Sequence, residues 1–527
     1  MLITDILKEN ADLYRDKPAL VERIPEKGTR REITWKTFDE QANRLAHTLM
    51  ELGVSKGDKV IQLMSNCMEW LPVYFGILRT GAWVVPLNFR FDSDKIALCT
   101  ETAEAKVMIF GEEFIERIAQ IKERLDRHVT VYIFDGPDDK LPEYAQPLDT
   151  ILSQGPCHDP GMSLIPDDDA ALYFTSGTTG TPKAVRLTHR NLASACDVEH
   201  AHHGQTHQDN FLCIPPLYHT GAKMHWFGNF LVGAKSVILK GVSPRWILEA
   251  VSEEQVSIVW LLVPWAHDIL IAIENGEVNL KDYTLGQWRL MHIGAQPVPP
   301  SLIEKWKKVF PDQDYDTNYG LTEATGPGCI HLGMGNEHKV GAIGLPGKGW
   351  ECQVVDGDLN PLPGGETGEL LLKGPGVMKE YYKNPEETSK ALVNGWLRTG
   401  DMARKDESEF IWLVDRKKDL IITGGENIFP VEIENFFMTH DHIQDVAVIG
   451  VPDPRLGEVV AAVIQVKAGR RMDREDVMTF AQGLPRYKRP RTIIFDDVPR
   501  NPTGKIEKPK LRRKYIRGDK DFRKLFV

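Results

Sequence analysis

The chain has 527 residues, 42% hydrophobic and 26% charged, a composition that excludes a disordered or fibrous protein. At about 100–200 residues per domain it holds roughly three or four units, or one large body with smaller appendages. Its 64 Lys and Arg against 75 Asp and Glu leave a net charge of −11, the wrong sign for a large nucleic-acid footprint.

The first residues, MLITDILKENADLYRDK, have no basic start followed by an apolar stretch, so no secretory signal is expected. Phe38 to Leu52 places apolar residues at three- and four-residue steps and predicts an amphipathic helix. Lys59–Leu63, Lys106–Phe110, Val129–Phe134 and Ser236–Leu239 are short apolar runs that read as buried strands. Helical patterns lie between several of them, which predicts parallel βαβ units. The longest apolar run, Val256 to Ile273, contains Pro264, His267 and Asp268 and reads as core, not as a membrane span. After about Gly341 glycine, proline and short strands dominate to about Val414, predicting an antiparallel, barrel-like subdomain. The charged run Asp415–Asp419 then separates two apolar segments, as a solvated turn or a domain hinge, and a compact unit of about 110 residues follows. The expected fold is α/β: residues 1–417 as a large N-terminal domain and 418–527 as a small α+β domain.

The seven cysteines are odd in number and form no CxxC pair, which suits a reducing compartment and a cytoplasmic protein. From Arg486 to Val527 there are 15 basic and 5 acidic residues, leaving −21 on the remainder. That end is either a solvated face or an anion-binding one.

Five loops carry chemistry. The first, YFTSGTTGTPK at 173–183, follows an apolar approach. Gly177 and Gly180 permit close approach of phosphate; Thr175, Ser176, Thr178, Thr179 and Thr181 offer donors, and Lys183 a positive charge. Pro182 and Ala184 stand where a Walker A loop needs Gly and Ser/Thr, which disfavours a P-loop NTPase. The second loop, NYGLTEATG at 318–326, offers Tyr319 for stacking on a base, Thr322 for phosphate and Glu323 for Mg²⁺. The third, GWLRTGD at 395–401, ends in Asp401, a carboxylate able to accept two ribose hydroxyls. The fourth, from Asp415 to Ile433, presents Arg416 for ribose or phosphate and Gly424-Gly425 in a close turn. The fifth, PRNPTGKIEKPK at 499–510, holds Lys505 in a Pro/Gly loop near the chain end.

In order and spacing these loops resemble those of the adenylate-forming superfamily: acyl-CoA synthetases, peptide-synthetase adenylation domains and beetle luciferases. The resemblance runs from about residue 10 to 515 and is nearest to the AMP-forming acyl- and aryl-CoA ligases. It implies two steps. A carboxylate and Mg·ATP give an acyl-adenylate and pyrophosphate; coenzyme A thiol then takes the acyl group and AMP leaves. It also implies roles. The Thr175–Lys183 loop holds the β/γ-phosphates. Gly294, Ala295 and Gln296 line the adenine and acyl pocket, and Tyr319 stacks on adenine. Thr322 contacts phosphate and Glu323 binds magnesium. Asp401 and Arg416 take the ribose. Lys505 bridges the acyl carboxylate and α-phosphate. Lys418 is the hinge, about which the small domain swings, exchanging Lys505 for the Gly424-Gly425 loop between half-reactions.

Pro216–His219 resembles a segment that gates the acyl site from the CoA tunnel, with His219 the gate candidate. A satisfied core histidine is the other reading of His219. The acyl pocket is expected to be lined by Lys223–Phe230, including Trp226 and Phe227, by Trp265, and by Gly320 and Leu321. Their bulk predicts a compact apolar acid: aromatic, alicyclic or short-to-medium aliphatic. Lys223 is an ambiguous exception. His200, His202, His203 and His207 crowd one stretch, and the expectation is a polar loop after a helix, not a metal site. Expected partners are a small carboxylic acid, ATP and CoA, with no nucleic acid and a monomer or homodimer. A carrier-protein thiol acceptor, or a non-catalytic acyl or nucleotide sensor, are the competing readings.

Overall fold

The structure is a computed structural model that describes residues 2–175, 182–294, 298–331, 336–416, 419–423, 426–500 and 505–516. Four sheets organise it. The first has eight strands in the order Glu380–Tyr381, Lys183–Thr188, Asp169–Thr175, Trp83–Pro86, Lys59–Leu63, Val107–Gly111, Val131–Asp135, Ala145–Pro147. It is parallel from Asp169–Thr175 to its far edge, and antiparallel where Lys183–Thr188 folds back. The second has nine strands, and its centre runs parallel through Asp314–Gly320, Leu290–Gly294, Ile258–Leu262, Asn210–Cys213 and Lys235–Leu239. Every residue of Val107–Gly111 and of Ile258–Leu262 is buried, as parallel strands covered on both faces require.

Helices fill the crossovers. Trp35–Glu51 starts where the Thr34 hydroxyl accepts from the Thr37 amide at 3.1 Å, and it buries Phe38, Ala42, Leu45 and Leu49. His189–His203 starts at a reciprocal cap between Thr188 and Asn191 and stops at Gly204, which takes the left-handed φ of +56°. The apolar run at 256–273 divides into the strand Ile258–Leu262 and the helix Val263–Glu274.

The third sheet is the antiparallel five-stranded unit expected after Gly341: Glu351–Val355, Gly368–Lys373, Trp396–Lys405, Leu392–Val393 and Ile411–Arg416. Among the described residues its ladder runs open. The fourth, built on the long pair Ile443–Asp453 and Gly457–Val466, has a core on each face. Ile433, Phe437 and Val448 lie in one; Ile449, Val463 and Leu511 lie in the other.

Five of the fifteen cations of the basic end are paired within its own unit. Lys488 pairs with Glu432, Arg500 with Asp445, Lys508 with Glu434, Arg512 with Asp419 and Lys514 with Asp496. The run of like charge in sequence is therefore no open anionic receptor at these five positions. Among the described residues no helix is long and apolar enough to cross a membrane.

Candidate active site

Parallel strands leave their loops at the carboxyl ends, and there the motif residues collect. Asp169–Thr175 delivers Thr175, and the return strand begins at its register partner Lys183, so both ends of the phosphate-type loop are pinned together. Lys183 pairs with Glu387, which holds that carboxyl below its usual range, and its Nζ lies 4.8 Å over the Tyr381 ring. The Tyr381 hydroxyl donates to Glu323 Oε1 at 2.8 Å. Burial, then the Glu323 charge, push the Tyr381 phenol up, so it stays a donor. Glu323 sits in the short turn Thr322–Ala324, and its carbonyl accepts from the Met378 amide at 2.7 Å. The turn follows Gly320, where a Cβ would stand 2.6 Å from the Gly326 carbonyl oxygen, so only glycine fits.

A second group forms where the second and third sheets meet. The Tyr319 hydroxyl donates to Asp401 Oδ2 at 2.5 Å, and Arg416 Nε stands 3.1 Å from Asp401 Oδ1. Asp401 and Arg416 are register partners on adjacent antiparallel strands, which fixes that pair through backbone geometry. Burial, then Asp401, drive the Tyr319 phenol far up, while Asp401 first of all holds Arg416 cationic. Each carboxylate oxygen retains a lone pair for a ligand hydroxyl.

The third group links the middle of the chain to its C-terminal part. His219 caps the helix Thr220–Leu231, its Nδ1 accepting from the Gly221 amide at 3.3 Å. Its ring keeps some exposed surface but lies amid dense protein. That burial, and then the nearby Lys505 ammonium, pull its pKa down to about 4. Lys505 thus lies within electrostatic range of His219. The Thr220 hydroxyl donates to Thr322 Oγ1 at 3.4 Å, linking the His219 segment to the Glu323 turn.

Other expected site residues fare differently. Ser176, Gly177, Thr178, Thr179, Gly180, Ala295, Gln296, Lys418, Gly424 and Gly425 lie outside the described residues. Gly294 ends its strand as expected. Trp226 and Phe227 are buried against Phe230, and Trp226 also meets Phe75. Trp265 and Leu321 remain partly exposed. Lys223 is buried in a cage of Trp70, Tyr74 and Tyr173, 4.1–5.2 Å from the ring centres, and burial pushes its pKa far down. Tyr381, Glu387 and Thr220 were not legible as site residues. Tyr381 enters only because Glu380–Tyr381 adds an edge strand beside Lys183–Thr188. The expected polar loop at 200–207 is corrected: His202 and His203 end a helix and are wholly buried.

The donor set fits Mg²⁺ and ATP: a partly exposed carboxylate at Glu323, a hydroxyl at Thr322, a cation at Lys183 and the Asp401–Arg416 pair. The comparisons agree with this chemistry. A family model described as AMP-binding enzyme matches residues 7–382, and one described as AMP-binding enzyme C-terminal domain matches 432–505. The chain is 32% identical to the feruloyl-CoA synthase of Amycolatopsis sp, over 92% of this chain and 94% of that one. It is 30% identical to the crotonobetaine/carnitine–CoA ligase of Citrobacter koseri, over 95% and 97%. The solved structure of ATP-bound MatB from Rhodopseudomonas palustris superposes with a TM-score of 0.87 at 27% identity, covering 98% of this chain and 99% of that one. The chain belongs to the AMP-binding enzyme family, as an adenylate-forming acid–thiol ligase that releases AMP.

Proposed function

We propose that the chain is an AMP-forming acyl-CoA ligase acting on a compact apolar acid. The observation that carries the reading is the Tyr319–Asp401–Arg416 group, joined at 2.5 and 3.1 Å, beside the turn in which Glu323 accepts from the Tyr381 hydroxyl at 2.8 Å. In the first step a carboxylate oxygen attacks the α-phosphorus of ATP, and the bond to pyrophosphate breaks. Lys505 neutralises charge between the acyl carboxylate and the α-phosphate, where a positioned cation counts most. Thr175 and Lys183, with the intervening loop, hold the β- and γ-phosphates. Tyr319 stacks on adenine while Asp401 and Arg416 fix the ribose, so that orientation is set before reaction. Glu323 would hold Mg²⁺, which supplies further neutralisation of phosphate charge. In the second step the CoA sulfur attacks the acyl carbon as its proton leaves, and AMP departs from the mixed anhydride. His219, held neutral, then stands as the gate between acyl site and thiol entry.

Two domains, 1–417 and 418–527, hinge at Lys418 and alternate between the half-reactions, with the Gly424-Gly425 loop serving the second. The preference for a compact acid, aromatic, alicyclic or short-to-medium aliphatic, is supported by Trp260. A methyl group added at Gly221 would lie 3.6 Å from its ring, and one at Gly294 would lie 3.9 Å from its Nε1. That indole fills space between the helix and the strand end that frame the pocket. A cytoplasmic setting is supported by all seven cysteines being unlinked, Cys329 and Cys352 included at 3.4 Å.

The test is pyrophosphate release from Mg·ATP across acetate to laurate, benzoate and cyclohexanecarboxylate, each with and without CoA. CoA-stimulated turnover peaking at a compact acid is expected. A single burst without CoA stimulation would indicate a different thiol acceptor, and no release with any acid would overturn the catalytic reading.

A further inference from the structure

The helix His189–His203 packs behind the strands Leu290–Gly294 and Asp314–Gly320, and a wholly interior cluster of ionisable side chains lies between them. His203 Nε2 and His202 Nε2 stand 3.0 and 2.8 Å from Asp316 Oδ2, while His292 Nδ1 meets Asp316 Oδ1. His203 Nε2 and His292 Nδ1 are 3.3 Å apart, and one ligand atom from each of the four residues lies within 4.8 Å of all the others. All four residues are buried.

We propose that His202, His203, His292 and Asp316 form a site for one divalent transition-metal ion, with zinc the ion their donors suit best. Three imidazoles and a carboxylate are an established zinc donor set, and atoms about 2.0–2.1 Å from the ion at tetrahedral corners stand about 3.3 Å apart. The imidazole pair already has that spacing; the His203 and His202 contacts with Asp316 need to open by about 0.3–0.5 Å, and the His292 contact by about an ångström.

Three features support an ion over a plain hydrogen-bonded core. The first is charge. Glu199 and Asp316 are both buried, and their recorded ion-pair partners among the described residues are histidines. A divalent ion would balance the two carboxylates, which are costly to bury unpaired. The second is alignment. The His202 ring is fully buried and neither nitrogen makes a hydrogen bond, although Nε2 is so near Asp316. The third is the outer shell. The far nitrogen of His203 lies 3.3 Å from its hydrogen-bond partner, the Gln205 amide nitrogen, and 3.4 Å from Glu199 Oε2, while Glu199 Oε1 accepts from Asn318 at 3.0 Å and lies 3.1 Å from His225. A carboxylate behind a ligating histidine fixes its ring and raises its basicity. His207 takes no part: its Nδ1 faces the Gly233 carbonyl at 2.7 Å, and its ring stacks on Tyr14. Such an ion would staple the helix to the two strands whose carboxyl ends carry Gly294 and Tyr319.

The test is metal analysis of the full-length protein after chelation, reloading with Zn²⁺ or Co²⁺, and desalting. One retained equivalent is expected, with the intense visible bands of tetrahedral Co²⁺. His292→Ala should abolish retention, and Glu199→Gln should weaken affinity about 10- to 100-fold. His200→Ala should leave both unchanged. Should His292→Ala fail to fold, the wild-type Co²⁺ spectrum and Glu199→Gln still decide. Folded wild-type protein that retains neither ion, with a melting temperature indifferent to chelator, would overturn the site. So would equal retention by folded His292→Ala. Neither result depends on ligase turnover.

Discussion

Lys505 and His219 show how a residue's chemistry depends on company that its own segment does not supply. Lys505→Ala should lose adenylation, read as pyrophosphate release, by several orders of magnitude, yet still convert supplied acyl-adenylate and CoA into thioester. Equal loss in both assays would remove it from the bridging role. His189 offers a separate test of burial. It is fully buried, neither ring nitrogen makes a hydrogen bond, and its pKa is pushed down to about 4 by desolvation. The unfolded chain protonates a histidine near 6.5, so stability is complete above that value and falls as pH drops towards about 4. The shift corresponds to at most about 3 kcal/mol. His189→Leu should flatten the decline in denaturant midpoint between those pH values, and an unchanged pH slope would refute the assignment. The residues of the five motif loops that bear charge or hydroxyls were legible because chemistry restricts residue type. Tyr381 and Glu387 were not, because tyrosine and glutamate in a surface-like run carry no signal until the edge strand Glu380–Tyr381 and the helix Pro385–Ala391 bring them to Lys183.

At the scale of elements, short apolar runs between helical patterns located four of the parallel strands to within a residue or two. Lys59–Leu63 falls as expected, and the run at 106–110 is realised as Val107–Gly111. The helix ending in His202 and His203 was misread as a loop, because polar residues on a wholly buried helix end break the amphipathic pattern. The last helix, Lys508–Ile516, is polar in sequence and is held by tertiary contacts. Lys508 Nζ lies 2.9 Å from Glu434 Oε1, both nearly buried, with Asp415 and Asp419 close enough to act on it. Removing one partner of such a pair costs about 3–5 kcal/mol, since the other charge is left buried. Lys508→Met should therefore destabilise by that order. Because this helix follows directly on Lys505, adenylation should suffer more than thioester formation. Adding Glu434→Leu should restore much of the stability; a double variant as unstable as the sum of the singles would show that the pair is not coupled.

For the molecule as a whole, the proposed cycle requires the small domain to change position. Asp415 and Asp419 flank the proposed pivot: Asp415 accepts from the Val431 amide of the C-terminal unit at 3.0 Å, and Asp419 pairs with Arg512 inside that unit at 2.7 Å. Lys418→Pro would fix a backbone angle and remove an amide donor at the pivot. It should lower overall acyl-CoA synthesis at least tenfold while leaving one half-reaction near its normal rate, and undiminished turnover would place the pivot elsewhere.

The sequence by itself determined the class of fold, the five motif loops and the type of reaction. Hydrophobic periodicity fixes which segments are buried, and phosphate and carboxylate chemistry narrows which residues can occupy a loop. Only the tertiary structure packs Trp226 and Phe227 against Phe230, pairs five cations of the basic end within their own unit, and brings Lys505 into electrostatic range of His219. It alone gathered His202, His203, His292 and Asp316 into one cluster. Those facts depend on contacts between residues far apart in the chain, and local pattern carries no record of which distant side chain will be opposite.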